Sequence, residues 1–182
     1  MQRRMKLRSD VTFATREFLN GEGFMEIETP TLIKATPEGA RDFLVPSRIH
    51  PGKFFALPQS PQLYKQILMV SNMDKYFQIA RCYRDEDARG DRQLEFTQID
   101  IEQSFVSAED VYKMTENLMA HVFNKTMDIQ LPSEFQRLTY MDAMNTYGSD
   151  KPELRFDMKL QDFAPYVPGS DFGVFKSVLE AN

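Results

Sequence analysis

Residues 76–84 and 94–105 each alternate apolar and polar side chains, and a dense run of charge separates them. Two stretches of period two joined by a long polar segment read as an antiparallel hairpin, and this constrains the rest of the chain more than any other feature. Side chains two apart then share a face. Cys82, Arg84 and Glu86 fall on one side of the first strand if it stays extended that far. Leu94, Phe96, Gln98, Asp100 and Glu102 fall together on one side of the second, while Ile99 and Ile101 point the other way into an apolar layer. One face therefore gathers an arginine, carboxylates and an aromatic ring. Pattern alone leaves two readings open: a solvated outer face laced with cross-strand ion pairs, or a face that binds something.

The chain's 182 residues suit one domain able to bury a core without metal or disulfide help. A net charge of −5 gives no general attraction for nucleic acid, so such a partner would need a local basic patch. The single cysteine, Cys82, excludes internal disulfides and a multi-cysteine metal site, and reads as a small buried strand residue. His50 and His121 are the only histidines and lie far apart in sequence, which argues against a histidine triad or zinc site. Chemistry here would rest on arginine, lysine and carboxylates. No stretch approaches the roughly 20 apolar residues of a membrane span. The basic start, residues 1–10, runs without a break into a helical pattern and reads as the exposed first turns of that helix.

Leu7, Val11, Ala14 and Phe18 recur at helical spacing, with Asn20 and Gly21 as the stop, giving a helix of about four turns. Residues 24–29 alternate and end at Pro30, as an edge strand would. Residues 34–48, with Pro37 and Gly39, read as a loop in which Glu38 is held with little freedom. A short strand over 54–57 leads to Ser60 as N-cap and Pro61 in the first turn of a helix whose Leu63, Ile67, Leu68 and Val70 face inward. Gln62 and Lys65 share a face near that helix's start. A lysine there opposes the helix dipole and is explained by an anion, whether a protein carboxylate or a ligand, unless it is simply solvated. Ser107 to Asp110 opens another helix with a capping box, burying Val111, Met114, Leu118 and Val122. Residues 138–147 read as a strand or turn into a helix closed by Gly148, 148–155 as a loop, and 157–182 alternate weakly through Phe172, Val174 and Val178.

Several of these stretches together resemble the catalytic domain of class II aminoacyl-tRNA synthetases, most closely those of the aspartyl type from bacteria or organelles. GFMEIETPTL, from Gly23, is similar to motif 1, with Pro30 its marker at the dimer interface. YRDEDARGDRQLEFTQ, from Tyr83, is similar to motif 2, the strand–loop–strand that binds ATP. ATPEGARDFLVPS, LPQSPQLYKQ and YGSDKPELR follow the family's order.

The resemblance implies an α+β fold, an antiparallel sheet flanked by helices and incomplete in this chain. Residues 1–156 would be the N-terminal part of the catalytic domain and 157–182 the start of an inserted domain or its connection. It implies an aspartate–tRNA ligase that activates L-aspartate with ATP and Mg²⁺ and transfers it to tRNA(Asp), working as a homodimer in the cytoplasm or an organelle matrix. Arg84 would be the catalytic residue, contacting the α-phosphate and the carboxylate being activated. Glu86 would accept from the adenine amino group, Phe96 would stack on the ring, and Arg92 and Arg89 would face the outer phosphates or the tRNA acceptor end. Ser60, Gln62 and Lys65 would hold aspartate, Lys65 by its side-chain carboxylate, while Glu38 and Asp100 would hold or close over its amino group. No protein ligand for Mg²⁺ is implied within these residues.

The family's motif 3, its anticodon-binding barrel, its second aspartate-reading arginine and its histidine pair are not among these residues, and Leu94 stands where many members have proline. The expectation is therefore one piece of the enzyme, catalytically incompetent by itself. Two other classes stay open: a noncatalytic binding or regulatory module on the same core, and an aspartate–ammonia ligase-like enzyme.

Overall fold

The structure, a computed structural model, describes residues 1–169 and 172–180, the last three of these by backbone alone. They fall into two compact units, Met1–Glu134 and Phe135–Asn182.

In the first unit, α1 (Gln2–Gly21) leads through the positive-φ Gly23 into β1 (Met25–Glu26). The helix stops where Asn20 and Gly21 predict, but its basic start is fully helical and makes it longer than the expected four turns. Next come β2 (Leu44–Pro46), β3 (Phe54–Ala56), α2 (Gln62–Val70), β4 (Lys75–Tyr83), β5 (Glu95–Gln103) and α3 (Ala108–Met127). The Ser107 hydroxyl accepts from the Asp110 N–H and the Asp110 carboxylate accepts from the Ser107 N–H, the capping box read from sequence. Beneath the sheet a core of Ala14, Leu19, Phe24, Phe77, Leu118 and Val122 joins α1, α3 and β4, with Val11, Phe18, Ile101 and Met114 packed against it. Each large side chain buried there contributes about 1.5–3 kcal/mol.

The sheet runs β1-β4-β5. β4 and β5 are antiparallel, pairing Cys82 with Phe96, Ala80 with Gln98, Gln78 with Asp100 and Tyr76 with Glu102. That register puts the residues predicted to share a face on one face. The edge strand is much shorter than residues 24–29, because only Met25 and Glu26 find ladder partners, and it runs parallel to β4 rather than antiparallel. Ser47 and Lys53 close a second, two-stranded ladder whose β2 lies inside the stretch expected to be loop.

Several side chains expected inside are not. Ile99, Leu63, Ile67, Val70 and Val111 are exposed, Val70 by 86%. Periodicity marks an apolar stripe, but burial needs an element across from it, and none of the described residues covers these.

In the second unit Thr139 caps α4 (Tyr140–Tyr147), and Gly148, at φ 71°, closes it in the left-handed conformation that glycine tolerates. A 3₁₀ turn at Ala164–Tyr166 and α5 (Gly173–Glu180) follow. The tail that alternates weakly in sequence is thus helical at its end; Phe172 and Val174 are exposed, and the side chain of Val178 lies outside the described residues.

Candidate active site

The polar face of the β4–β5 hairpin carries two arrangements of different character. At its open end the ladder runs one step past the strands, Arg84 N–H donating to the Leu94 carbonyl, so Arg84 keeps the phase of Cys82 and stays over Phe96. The guanidinium carbon sits 5.0 Å from the Phe96 ring centre, within cation–π range. Around this pair the charged loop closes a cavity of about 430 Å³ lined by Arg84, Glu86, Asp87, Asp91, Arg92, Gln93, Leu94 and Phe96. The predicted nucleotide residues Arg84, Glu86, Arg92 and Phe96 are all in that lining. Arg89 is not; its carbonyl accepts from the Arg92 N–H in the turn at the loop's tip.

Deeper on the same face, α2 lays Lys65 across β5. Its ammonium donates to Asp100 Oδ1 at 2.9 Å and lies 3.3 Å from Glu102 Oε2. The Lys65 and Asp100 side chains are each only 11% exposed. Burial alone would lower the lysine pKa, but the hydrogen bonds and charges of Asp100 and then Glu102 outweigh it and hold the ammonium above its ordinary value. Lys65 is therefore not a solvated lysine, and the anion expected near the helix start is supplied, in this structure, by protein carboxylates. The second Asp100 oxygen, Oδ2, is buried and accepts no hydrogen bond among the described residues. Such an atom has given up water without replacement and favours a ligand that donates to it.

Neighbours tighten this region. The Tyr76 hydroxyl and Thr29 both donate to Gln78 Oε1, and the Cys82 thiol lies 3.1 Å from Gln98 Oε1. Burial, with the Asp100 charge behind it, pushes the Tyr76 hydroxyl pKa upward and the Cys82 thiol to about 11. Both stay protonated at neutral pH, which makes Cys82 the inert buried residue its sequence position suggests.

The segment holding Glu38 is fixed from beneath. Gln59, 2% exposed, accepts from the Ala40 N–H and donates to the Ala40 carbonyl and to Asp42. Gly39, at φ 99°, turns the chain so that Glu38 points back. The Glu38 carboxylate then accepts from Thr36 at one oxygen and from Ser60 at the other, each at 2.8 Å. Arg41 ties the same segment to the Asp85 carbonyl at the mouth of the hairpin. Helix α2 begins at Gln62 with Pro61, not Ser60, at the cap; the Ser60 hydroxyl still accepts from the Gln62 N–H, while its own proton goes to Glu38. Ser60 therefore serves the helix start and the Glu38 cluster at once.

Of the eleven residues singled out from sequence, nine lie on this face or in the segments folded beside it, and Arg89 stands at the loop's tip. Pro30 is apart: it is exposed and lines a separate cleft of about 430 Å³ with Arg16, Glu26 and Pro58. Sequence reasoning put Glu102 and Gln98 on this face without giving them a role, and it gave none to Gln59 or Tyr76. The first two are in strand phase with Asp100, so their position was legible; the burial of Gln59 was not, because no periodicity marks a loop anchor. Among the described residues no three of the His, Cys, Asp and Glu side chains are grouped to hold a metal ion.

Residues 1–171 match the family described as tRNA synthetases class II (D, K and N). The chain is similar to the aspartate–tRNA(Asp/Asn) ligase of Treponema denticola, 63% identical over 98% of the chain, and to that of Caldanaerobacter subterraneus subsp. tengcongensis, 60% identical over 99%. In both cases it spans only about 30% of the relative's length. Among solved structures, an aspartyl-tRNA synthetase from Leishmania major Friedlin superposes on 68% of the chain, and the chain on 23% of it, with a TM-score of 0.59 at 28% identity. With nearly the whole chain inside the family match, it belongs to the class II tRNA synthetases of the D, K and N group.

Proposed function

We propose that this chain supplies the nucleotide wall and much of the amino-acid pocket of an aspartate–tRNA ligase, which joins aspartate to ATP as aspartyl-adenylate and passes it to tRNA. The observation that carries the reading is the hairpin face itself: Arg84 over Phe96 in an open cavity, continuous in strand phase with the buried Lys65–Asp100 pair.

The reaction joins two anions. A carboxylate oxygen of aspartate attacks the α-phosphorus and pyrophosphate leaves, so the protein must position the reactants and neutralise charge rather than form a covalent bond of its own. Arg84 at the hairpin mouth meets both needs, contacting the α-phosphate and the attacking carboxylate. Phe96 stacks on adenine, Glu86 accepts from its amino group, and Arg92 faces the outer phosphates. Lys65, with Ser60 and Gln62, receives the aspartate side chain. An asparagine amide there leaves a buried ammonium without its anion, which disfavours it. The ligand ammonium goes to Asp100, whose Oδ2 lacks a donor, and to Glu38. Mg²⁺, when bound with ATP, would supply further positive charge to offset that of the phosphates.

Both bacterial relatives bear names that give tRNA(Asp/Asn) as acceptor, and the same dual acceptor is proposed here. A homodimer through the segment around Pro30 and a cytoplasmic location complete the reading, with residues 1–156 in the catalytic domain and 157–182 opening an inserted one. No helix among the described residues is long and apolar enough to cross a membrane.

Calorimetry with a non-hydrolysable aspartyl-adenylate analogue tests the reading on the 182-residue chain. Binding weakened about tenfold or more by Arg84→Ala and by Phe96→Ala supports it. Binding untouched by both substitutions, or clear ATP–pyrophosphate exchange by this chain alone, goes against it.

A further inference from the structure

Glu102 has no role in the reaction as set out above, yet it is the second carboxylate on Lys65. It sits two residues beyond Asp100 on β5, opposite Tyr76, with its carboxylate 3.3 Å from the ammonium. A lysine ammonium has three donors. Asp100 takes one, and Glu102 holds the charge as an ion pair at 3.3 Å, so the ammonium keeps donor capacity for a ligand. The two carboxylates are not equivalent. Asp100 is 11% exposed and carries the buried, unsatisfied oxygen, whereas Glu102 is 32% exposed and stands at the rim. If a ligand draws Asp100 toward its own ammonium, Lys65 keeps a protein anion only through Glu102.

We propose that Glu102 is a positioning residue that sets the specificity of the amino-acid pocket: it anchors the Lys65 ammonium and aims its remaining donor, so that a carboxylate ligand is preferred to an amide. The proposal rests on the reading of Lys65 as the group that meets the ligand's side-chain carboxylate. A residue of merely structural use would influence folding without altering ligand choice or the protonation of Lys65.

Two measurements on the 182-residue chain separate these cases. NMR titration of the lysine side chains follows Lys65 directly and needs no ligand. Glu102→Gln is expected to lower the Lys65 pKa, because burial then acts against one carboxylate instead of two; Glu102→Asp restores part of it. Calorimetry with aspartyl- and asparaginyl-adenylate analogues gives the second readout. The ratio of their affinities is expected to fall about fivefold in Glu102→Gln, the size suited to a partly exposed pair, and to recover in Glu102→Asp. Glu95→Gln, which removes the exposed Arg81 pair on the other face of the hairpin, should alter neither. An unchanged Lys65 titration in a folded Glu102→Gln chain overturns the proposal. So does a shifted titration with an unchanged affinity ratio. A wild-type chain that makes no distinction between the two analogues, while Lys65 still responds to Glu102, refutes instead the assignment of Lys65 to the ligand.

Discussion

The two ends of the hairpin face are built on opposite plans. At the mouth, Arg84 and Phe96 touch each other and little else, both half-buried, around a cavity lined by exposed loop residues. Deeper in, Lys65, Asp100 and Glu102 already pair their charges with one another, and one buried carboxylate oxygen is left without a donor. The mouth is arranged to gain partners, and the deep cluster to exchange them. In physical terms the first should govern affinity with little effect on folding, and the second should govern both.

The most severe test of that contrast is Lys65→Gln. It leaves the buried Asp100 and the rim carboxylate of Glu102 without their cation and should cost about 2–4 kcal/mol of stability, read from the urea midpoint. Arg84→Ala should cost under about 1 kcal/mol in the same assay, since its half-buried side chain pairs with a ring rather than with a buried anion. Equal losses would erase the distinction. Next in size is nucleotide affinity: Phe96→Ala should weaken ATP binding about tenfold by removing a stacking surface, while Ser60→Ala should leave it unchanged and cost about 1 kcal/mol of stability through Glu38.

A pH profile sharpens the comparison further. The Lys65 pKa is raised on folding, so its ion pairs stabilise the protein fully below the ordinary lysine value of 10.5 and the contribution is lost as pH rises through the folded value above it. Tyr76 and Cys82, buried as neutral acids, act in the same direction over the alkaline range. The thermal midpoint should therefore drop in alkali, and the drop should shrink in Lys65→Gln. The smallest effect concerns Cys82. With its thiol held up to about 11 and no exposed surface, it should resist alkylation at neutral pH until the chain unfolds, as thiol labelling under native and denaturing conditions would show.

How much of this was legible in the sequence follows from the same physics. Period two placed Cys82, Phe96, Gln98, Asp100 and Glu102 on one face, and the register agrees, because a strand's alternation is set by the backbone and needs no knowledge of neighbours. The Ser107 capping box and the Gly148 stop were equally local. What could not be read depends on distant residues. Leu63, Ile67 and Val70 have a helix's apolar spacing, but nothing local says whether an element lies across from them. β2 hides in a proline- and glycine-marked segment because its pairing with β3 is a tertiary fact, and the parallel course of β1 is likewise set by where α1 delivers it. At the site, a lysine early in α2 announced an anion without saying whose; the structure answers with Asp100 and Glu102.

The central claim is that the deep cluster reads the amino acid while the mouth holds the nucleotide. Calorimetry of the wild-type and Lys65→Gln chains with ATP and with the aspartyl- and asparaginyl-adenylate analogues tests it most directly. The account predicts a wild-type preference for the aspartyl analogue that collapses in Lys65→Gln, with ATP affinity the same in both chains. A preference that survives the substitution, or a loss of ATP binding as large as the loss of the aspartyl analogue, would contradict it.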